Sequence, residues 1–282
     1  MLTQVPLDLV RTTAYVRTVR AQIREKAALT GPKSIALASR WPDQEEFRGA
    51  YGQTSRPFVV RGATEGWSIG NLSFGGFVER FGHVEVDLRD PDYKTALANG
   101  RPARRSTIAE YAEILARAPN GASLPYLANQ PLPPELAAAI SLPRYFPAER
   151  YFVRMWLAPP GALTTLHSDF ADNFMVVVFG RKDLILFSPD QETNVYAEET
   201  APTWSEDRSV PLVLLAKVDP EKPDVTRFPA FRQDAAHPCR LDDGDALYIP
   251  GGWFHHVRSS EPTLTITFFA SQAAPLAYGS AG

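Results

Sequence analysis

The sequence predicts a mainly β fold with added helices, its strands concentrated in the second half of the chain, and two observations carry that reading. From Tyr151 onward the chain breaks into short apolar or alternating runs, YFVRMWLAP, NFMVVVFG, DLILFSP, ALYIP, HHVRSS and TLTITFFA, separated by Pro, Gly and Asp clusters. Short strands with that punctuation build a sandwich or a small barrel. Up to about Arg150, by contrast, helical periodicities alternate with isolated strands. A chain of 282 residues that is 44% hydrophobic has enough apolar material for a substantial core.

The elements follow in order. Ala14 to Leu29 places Tyr15, Val19, Ile23 and Ala27 at helical spacing among charged and amide residues, and Gly31-Pro32 stops it. An amphipathic helix packed on the outside of the core is expected there. Phe58 to Arg61 reads as a short buried strand leaving by a glycine turn, Phe74 to Phe81 as a helix, and VEVDLRD as a half-buried strand. Thr107 to Arg117 reads as a second helix, with Ser106 or Thr107 placed to cap it and Glu110 three residues after Thr107. YLANQPL is a further strand. The expected division is an N-terminal helical segment, 1–40, followed by one domain, 41–282, whose β core spans about 151–270.

The formal charge of −3 leaves no electrostatic footprint for nucleic acid or an anionic membrane, and neither is expected as a partner. The basic run from Arg101 to Arg105 reads as solvated surface. No stretch fits a signal peptide or a run of 18 apolar residues, so a cytoplasmic protein is expected. The single cysteine, Cys239, rules out an internal disulfide and a cysteine-based zinc cluster, and reads as a small buried side chain.

Chemistry enters at LHSDFADNFMVVVFGRK, residues 166–182. In a strand, residues i and i+2 face the same side, so His167 and Asp169 can both point into a barrel while Ser168 points away. That pair is either a metal chelate or a hydrogen-bonded core element. A third ligand would come from GDALYIPGGWFHHVRSS, where His255 and His256 follow a Gly-Gly turn. Adjacent strand residues face opposite sides, so only one of the two can look inward. Two histidines and one carboxylate suit a non-haem iron oxygenase, with three positions left open; zinc enzymes use the same donors. An oxygenase that takes 2-oxoglutarate also needs a cation for the distal carboxylate. Gly180-Arg181 makes a two-residue hairpin turn, and Lys182 then opens the next strand, where a buried lysine must find an anion.

WLAPPGALTTLHSDFADNFMVVVFGRKDLILFSP followed by GDALYIPGGWFHHV resembles the JmjC-type, cupin-like oxygenases dependent on Fe(II) and 2-oxoglutarate. More narrowly it resembles the hydroxylase branch that includes the asparaginyl hydroxylase of hypoxia-inducible factor. The likeness runs from about Tyr151 to Ala270, and SRPFVVRGATEGW and PYLANQPL resemble the lead-in segments of the same family. It implies a double-stranded β-helix, or jelly-roll, with an N-terminal α/β decoration, and dioxygen as the oxidant. Carried over by position, the iron ligands are His167, Asp169 and His255, and the 2-oxoglutarate residues are Lys182, Thr164, Asn173 and Tyr126. Aspartate at the metal pair and the short spacing to Lys182 favour carbon hydroxylation over demethylation. About a dozen residues follow TITFFA, so the C-terminal helical pair through which some relatives dimerise is not expected. A homodimer would use another surface, such as the Ala14 to Leu29 helix; otherwise the chain is a monomer.

Trp156, Arg154, Asn129, Asp172 and Trp253 are the candidates for lining the substrate mouth. The branch implies a protein or peptide side chain as substrate. A free amino acid or small metabolite is the alternative, and a non-oxygenase cupin-like protein that binds metal, an isomerase or a binding module, is the rival class. Zinc hydrolysis would need a general base, for which Asp172 is the nearby candidate. His83 and His237 have no assignable role.

Overall fold

The computed structural model describes residues 34–89, 104–119, 123–141, 143–199 and 213–270, with scattered positions between 20 and 28. Most of the expected Ala14 to Leu29 helix lies outside the described residues, though the described positions from Arg20 to Ala28 are helical. The N-terminal part contributes β1 (Ala36–Ala38), β2 (Phe58–Val60), β3 (Glu85–Leu88), β4 (Arg104–Thr107) and β5 (Leu127–Pro131). Its two main helices are Phe74–Phe81 and Ile108–Arg117. The first is capped by the Ser73 hydroxyl, which accepts from Gly76 N, and buries Phe77 and Phe81 one turn apart. The second carries the expected capping box between Thr107 and Glu110, and Ser106 donates to the same glutamate. Tyr111 fixes that helix to the barrel, its hydroxyl lying 2.9 Å from the Pro125 carbonyl and 3.2 Å from that of Leu157. Burial holds this phenol far above its usual range, so it stays protonated and able to donate.

The second half supplies β6 (Tyr151–Ala158), β7 (Leu163–Asp169), β8 (Asp172–Phe179) and β9 (Lys182–Phe187). After β10 (Ala197–Glu199) and β11 (Val213–Ala216) come β12 (His237–Leu241), β13 (Ala246–Ile249), β14 (Phe254–Ser259) and β15 (Thr263–Ala270). One sheet has the order β1-β2-β13-β8-β15-β6-β5 and the other β10-β11-β7-β14-β9-β12. From β6 to β9 and again from β12 to β15 the chain steps from one sheet to the other at every strand, which is the winding of a double-stranded β-helix. The β8–β9 hairpin turns at Gly180-Arg181 as expected. Gly180 has φ +86°, and a Cβ there would lie 2.5 Å from the Pro262 carbonyl.

Three apolar clusters account for the strand patterns. Between the sheets, Met175, Val177, Leu184, Leu186, Leu247, Ile249, Trp253 and Val257 fill one side of the barrel. On the outer face of the first sheet, Phe174, Val176, Tyr248, Ile266 and Phe268 pack against the N-terminal aromatics Phe47, Phe58, Trp67 and Phe77. On the outer face of the second, Leu166, Phe187 and Phe254 are covered by Leu214, Phe228 and Phe231 from the insertion between β9 and β12. β8 is buried on both faces, which is why NFMVVVF reads as a continuous apolar run instead of an alternation. The ring of Phe174, with no exposure, stacks on Tyr145 at 5.4 Å and meets Tyr248 at 4.9 Å. Phe174→Ala is expected to cost about 3–5 kcal/mol, read from the urea midpoint; a loss under about 1 kcal/mol would show that this cluster does not carry the first sheet.

Candidate metal centre

β7 and β14 run antiparallel, with His255 directly opposite His167. His167 and Asp169 share a face two residues apart, as strand geometry requires. The two imidazole centroids are 4.2 Å apart, and His255 Nε2 is 3.6 Å from Asp169 Oδ2. All three side chains are buried, and one ligand atom from each lies within 4.8 Å of the others. His167 Nδ1 sits 2.8 Å from the Thr165 carbonyl and His255 Nδ1 3.2 Å from that of Trp253. A carbonyl only accepts, so each Nδ1 carries the proton and each Nε2 presents its lone pair to the cluster. Such a group of donors could hold a divalent metal.

The turn before β14 sets its height. Gly251 N donates to Asp172 Oδ1 and Gly252 N to the Asp169 carbonyl, both at 2.8 Å. A Cβ on Gly251 would lie 2.4 Å from the Phe170 carbonyl oxygen, and Gly252 has φ +94°. The glycine pair therefore permits the close approach that brings His255 level with His167. Of the adjacent histidines, His255 takes the inner face, together with Val257 of the interior cluster, and His256 the outer.

A register shift between His255 and Val257 places Val257 opposite Thr164. The extra residue on β7 is a bulge, and it turns Thr164 onto the inner face even though it precedes His167 by three positions. Lower on that face, Lys182 lies opposite Ser259. It is 4% exposed, with Nζ 3.5 Å from Ser259 Oγ, and burial pushes its ammonium down to about 8. Among the described residues no carboxylate lies within ion-pair distance of it. On the facing sheet, Asn173 alternates with Phe174 and so looks inward, as do Thr265 and Thr267. Asn173 Oδ1 and Thr265 Oγ1 are buried with no hydrogen-bond partner among the described residues, a cost of about 1–3 kcal/mol each unless something else contacts them.

Trp156 donates to Thr267 Oγ1 at 3.1 Å, and its ring is 6.0 Å from that of Tyr126, which is 4% exposed. Arg154 lays its guanidinium 3.8 Å over the Phe152 ring. Asn129 is half-buried in β5 with φ 52°. Asp172 is on the outer face of β8, holding the Gly251 turn. Trp253 is 1% exposed, donates to the Ser55 carbonyl at 2.8 Å and packs beside His237. Thr265, Thr267 and Ser259 are inner-face residues that the sequence analysis did not single out; the alternation of threonines in TLTITFFA was the signal for two of them.

Residues 44–273 match the model of the family described as a cupin-like domain. The chain belongs to the cupin-like domain family. Among its cupin-like relatives, the human bifunctional peptidase and (3S)-lysyl hydroxylase JMJD7 is 27% identical over 297 residues, covering 94% of each chain. Lysine-specific demethylase 8 of Xenopus tropicalis is 27% identical over 82% of this chain and 51% of its own length. The tRNA wybutosine-synthesizing protein 5 of Gallus gallus is 32% identical over 137 residues, 48% of this chain and 39% of its own. The chain thus spans nearly all of the first relative and about half or less of the other two. No helix among the described residues is long and apolar enough to cross a membrane.

Gly251→Ala is expected to leave the fold intact by circular dichroism and to weaken divalent-metal binding at least tenfold in equilibrium dialysis. Unchanged metal affinity would show that the close approach at Phe170 does not position His255.

Proposed function

We propose that this chain is an Fe(II)- and 2-oxoglutarate-dependent oxygenase that hydroxylates a carbon of a protein or peptide side chain. The observation that carries the co-substrate is Lys182, a buried cation that no carboxylate among the described residues neutralises, on the same inner wall as the three ligands. Burying such a charge is unfavourable unless a ligand supplies the anion. The orphaned oxygens of Asn173 and Thr265 mark the facing wall as a polar surface that lacks part of its contact set.

His167, Asp169 and His255 would hold the metal, a donor set that suits an iron centre able to take further ligands. Dioxygen is the oxidant, and 2-oxoglutarate supplies two of the electrons as it is converted to succinate and carbon dioxide; iron, when bound, would supply the centre at which they meet. The chain positions and shields. Lys182 pairs with the distal carboxylate of the co-substrate, and Thr164, Asn173 and Tyr126 orient it. The apolar cluster from Met175 to Val257 keeps water from the far side of the barrel. Trp156 and Arg154 on β6 and Asn129 on β5, the edge strand of the first sheet, are the proposed substrate contacts; Asp172 and Trp253 support them by holding the Gly251 turn and filling the barrel interior.

A protein side chain is favoured because the relative that matches along nearly the whole chain is named as a lysyl hydroxylase. A free amino acid or small metabolite is the other outcome of a substrate screen. That screen includes tRNA, since a relative at 32% identity is named for tRNA modification.

Under anaerobic conditions, Fe(II) and 2-oxoglutarate added to metal-free protein are expected to give the weak visible charge-transfer band of a chelated keto acid, and Lys182→Ala to weaken it at least tenfold in apparent affinity. Metal bound without a band would leave a metal-binding cupin-like protein that is not an oxygenase. Asp169→Ala is expected to abolish 2-oxoglutarate turnover, and turnover at the wild-type rate in that variant would sink the ligand assignment. The co-substrate also couples to pH. With Lys182 depressed to about 8 in the ligand-free protein and raised again by a bound carboxylate, binding takes up a proton above that pH. Affinity for 2-oxoglutarate is then constant below pH 8 and falls by up to about tenfold per unit above it, a dependence that Lys182→Ala removes.

A further inference from the structure

β14 is two-sided. His255 faces the barrel, and His256 faces out, beneath the insertion that covers the second sheet. His256 is 2% exposed, yet among the described residues neither ring nitrogen has a hydrogen-bond partner. Its Nε2 lies 3.3 Å from Glu221 Oε1 without the geometry of a hydrogen bond, and Asp219 completes a group whose ligand atoms all fall within 4.8 Å of one another. Two donors bonded to one tetrahedral metal at about 2.0 Å stand about 3.3 Å apart, so the imidazole and carboxylate are spaced as ligands are. The loop after β11 is already shaped for this, since Glu221 N donates to Asp219 Oδ1 at 2.9 Å and brings the two acids to one side. Arg258, on the same outer face as His256, holds both oxygens of Glu221, Nε donating to Oε1 at 2.8 Å and Nη2 pairing with Oε2. That pairing aims the carboxylate and leaves the imidazole with an ion-pair contact but no well-formed hydrogen bond among the described residues.

We propose that His256, Glu221 and Asp219 form a second divalent-metal site, on the face of β14 opposite the first, that takes zinc or a first-row ion of similar size. One imidazole and two carboxylates with no thiolate suit such an ion, and Asp219, at the solvent edge, leaves the fourth position to water. Bound there, the metal ties the insertion loop to the strand that carries His255. The two sites are independent in their donors, sharing only the backbone of β14.

Zinc uptake measured by equilibrium dialysis and elemental analysis on the full chain separates them. The wild type is expected to hold two zinc ions and the His167→Ala/Asp169→Ala variant one, the remaining ion lost when Asp219→Asn and Glu221→Gln are added. Cobalt(II) in the His167→Ala/Asp169→Ala variant is expected to show the intense visible bands of a low-coordinate site. Asp219→Asn alone changes an exposed side chain, so it keeps the test open if the larger combination disturbs folding; it is expected to weaken zinc in that background at least tenfold. No zinc in the His167→Ala/Asp169→Ala variant, or uptake indifferent to Asp219→Asn, overturns the proposal and leaves a His–Glu–Arg contact only.

Discussion

The pairing of β7 with β14 is the constraint on which the rest depends. Neither strand holds a complete ligand set, and the register that puts His255 opposite His167 is what turns three separate side chains into one centre. That register is fixed at one end by backbone contact, where the Gly251-Gly252 turn lies against Phe170 and is bonded to Asp169 and Asp172. It is adjusted in the middle by the bulge opposite His256, and it ends where Ser259 meets Lys182. Metal donors, bulge and buried lysine are thus three consecutive consequences of one antiparallel ladder.

Much of this was legible in the residues. The helix at Ile108–Arg117 announced itself through Thr107 and Glu110, and the hairpin through Gly180-Arg181, because caps and tight turns are local and have few chemical solutions. β6, β8, β9 and β13 to β15 were visible as punctuated runs, and β7 only through the spacing of His167 and Asp169. The choice of His255 over His256 was not visible by parity, which says only that they differ; it needed the family resemblance, and the fold supplies the reason in the register with His167. Thr164 would have been set on the outer face by strict alternation, since a bulge leaves no signature in LTTLHSD. The insertion was missed as structure. β10 to β12 are short, β12 contains Pro238, and its one buried residue, Leu241, packs in the interior cluster with strands far off in the sequence.

The interior of the barrel is divided by chemistry. One side is closed with aliphatic side chains and Trp253, and the other carries Lys182, Asn173, Thr265 and Thr267 on facing walls. A polar wall in a protein interior is unfavourable unless its groups are matched. The mismatch is concentrated at Lys182, Asn173 and Thr265, whereas Trp156 and Tyr111 already have their partners.

The alternation of strands between sheets also bears on the order of events when the chain folds. Trp156 reaches Thr267 across 111 positions, and His167 likewise meets His255 only after the insertion has been passed over. Contacts of that separation form late, because their loop-closure entropy must be met before any pairing rewards it. A nascent chain can present His167 and Asp169 from one local strand, but the third donor arrives only with the closing of β14. A metal held by these three side chains would therefore be selected by the finished barrel and not by the emerging chain, and would tie β7 to β14 by mass action.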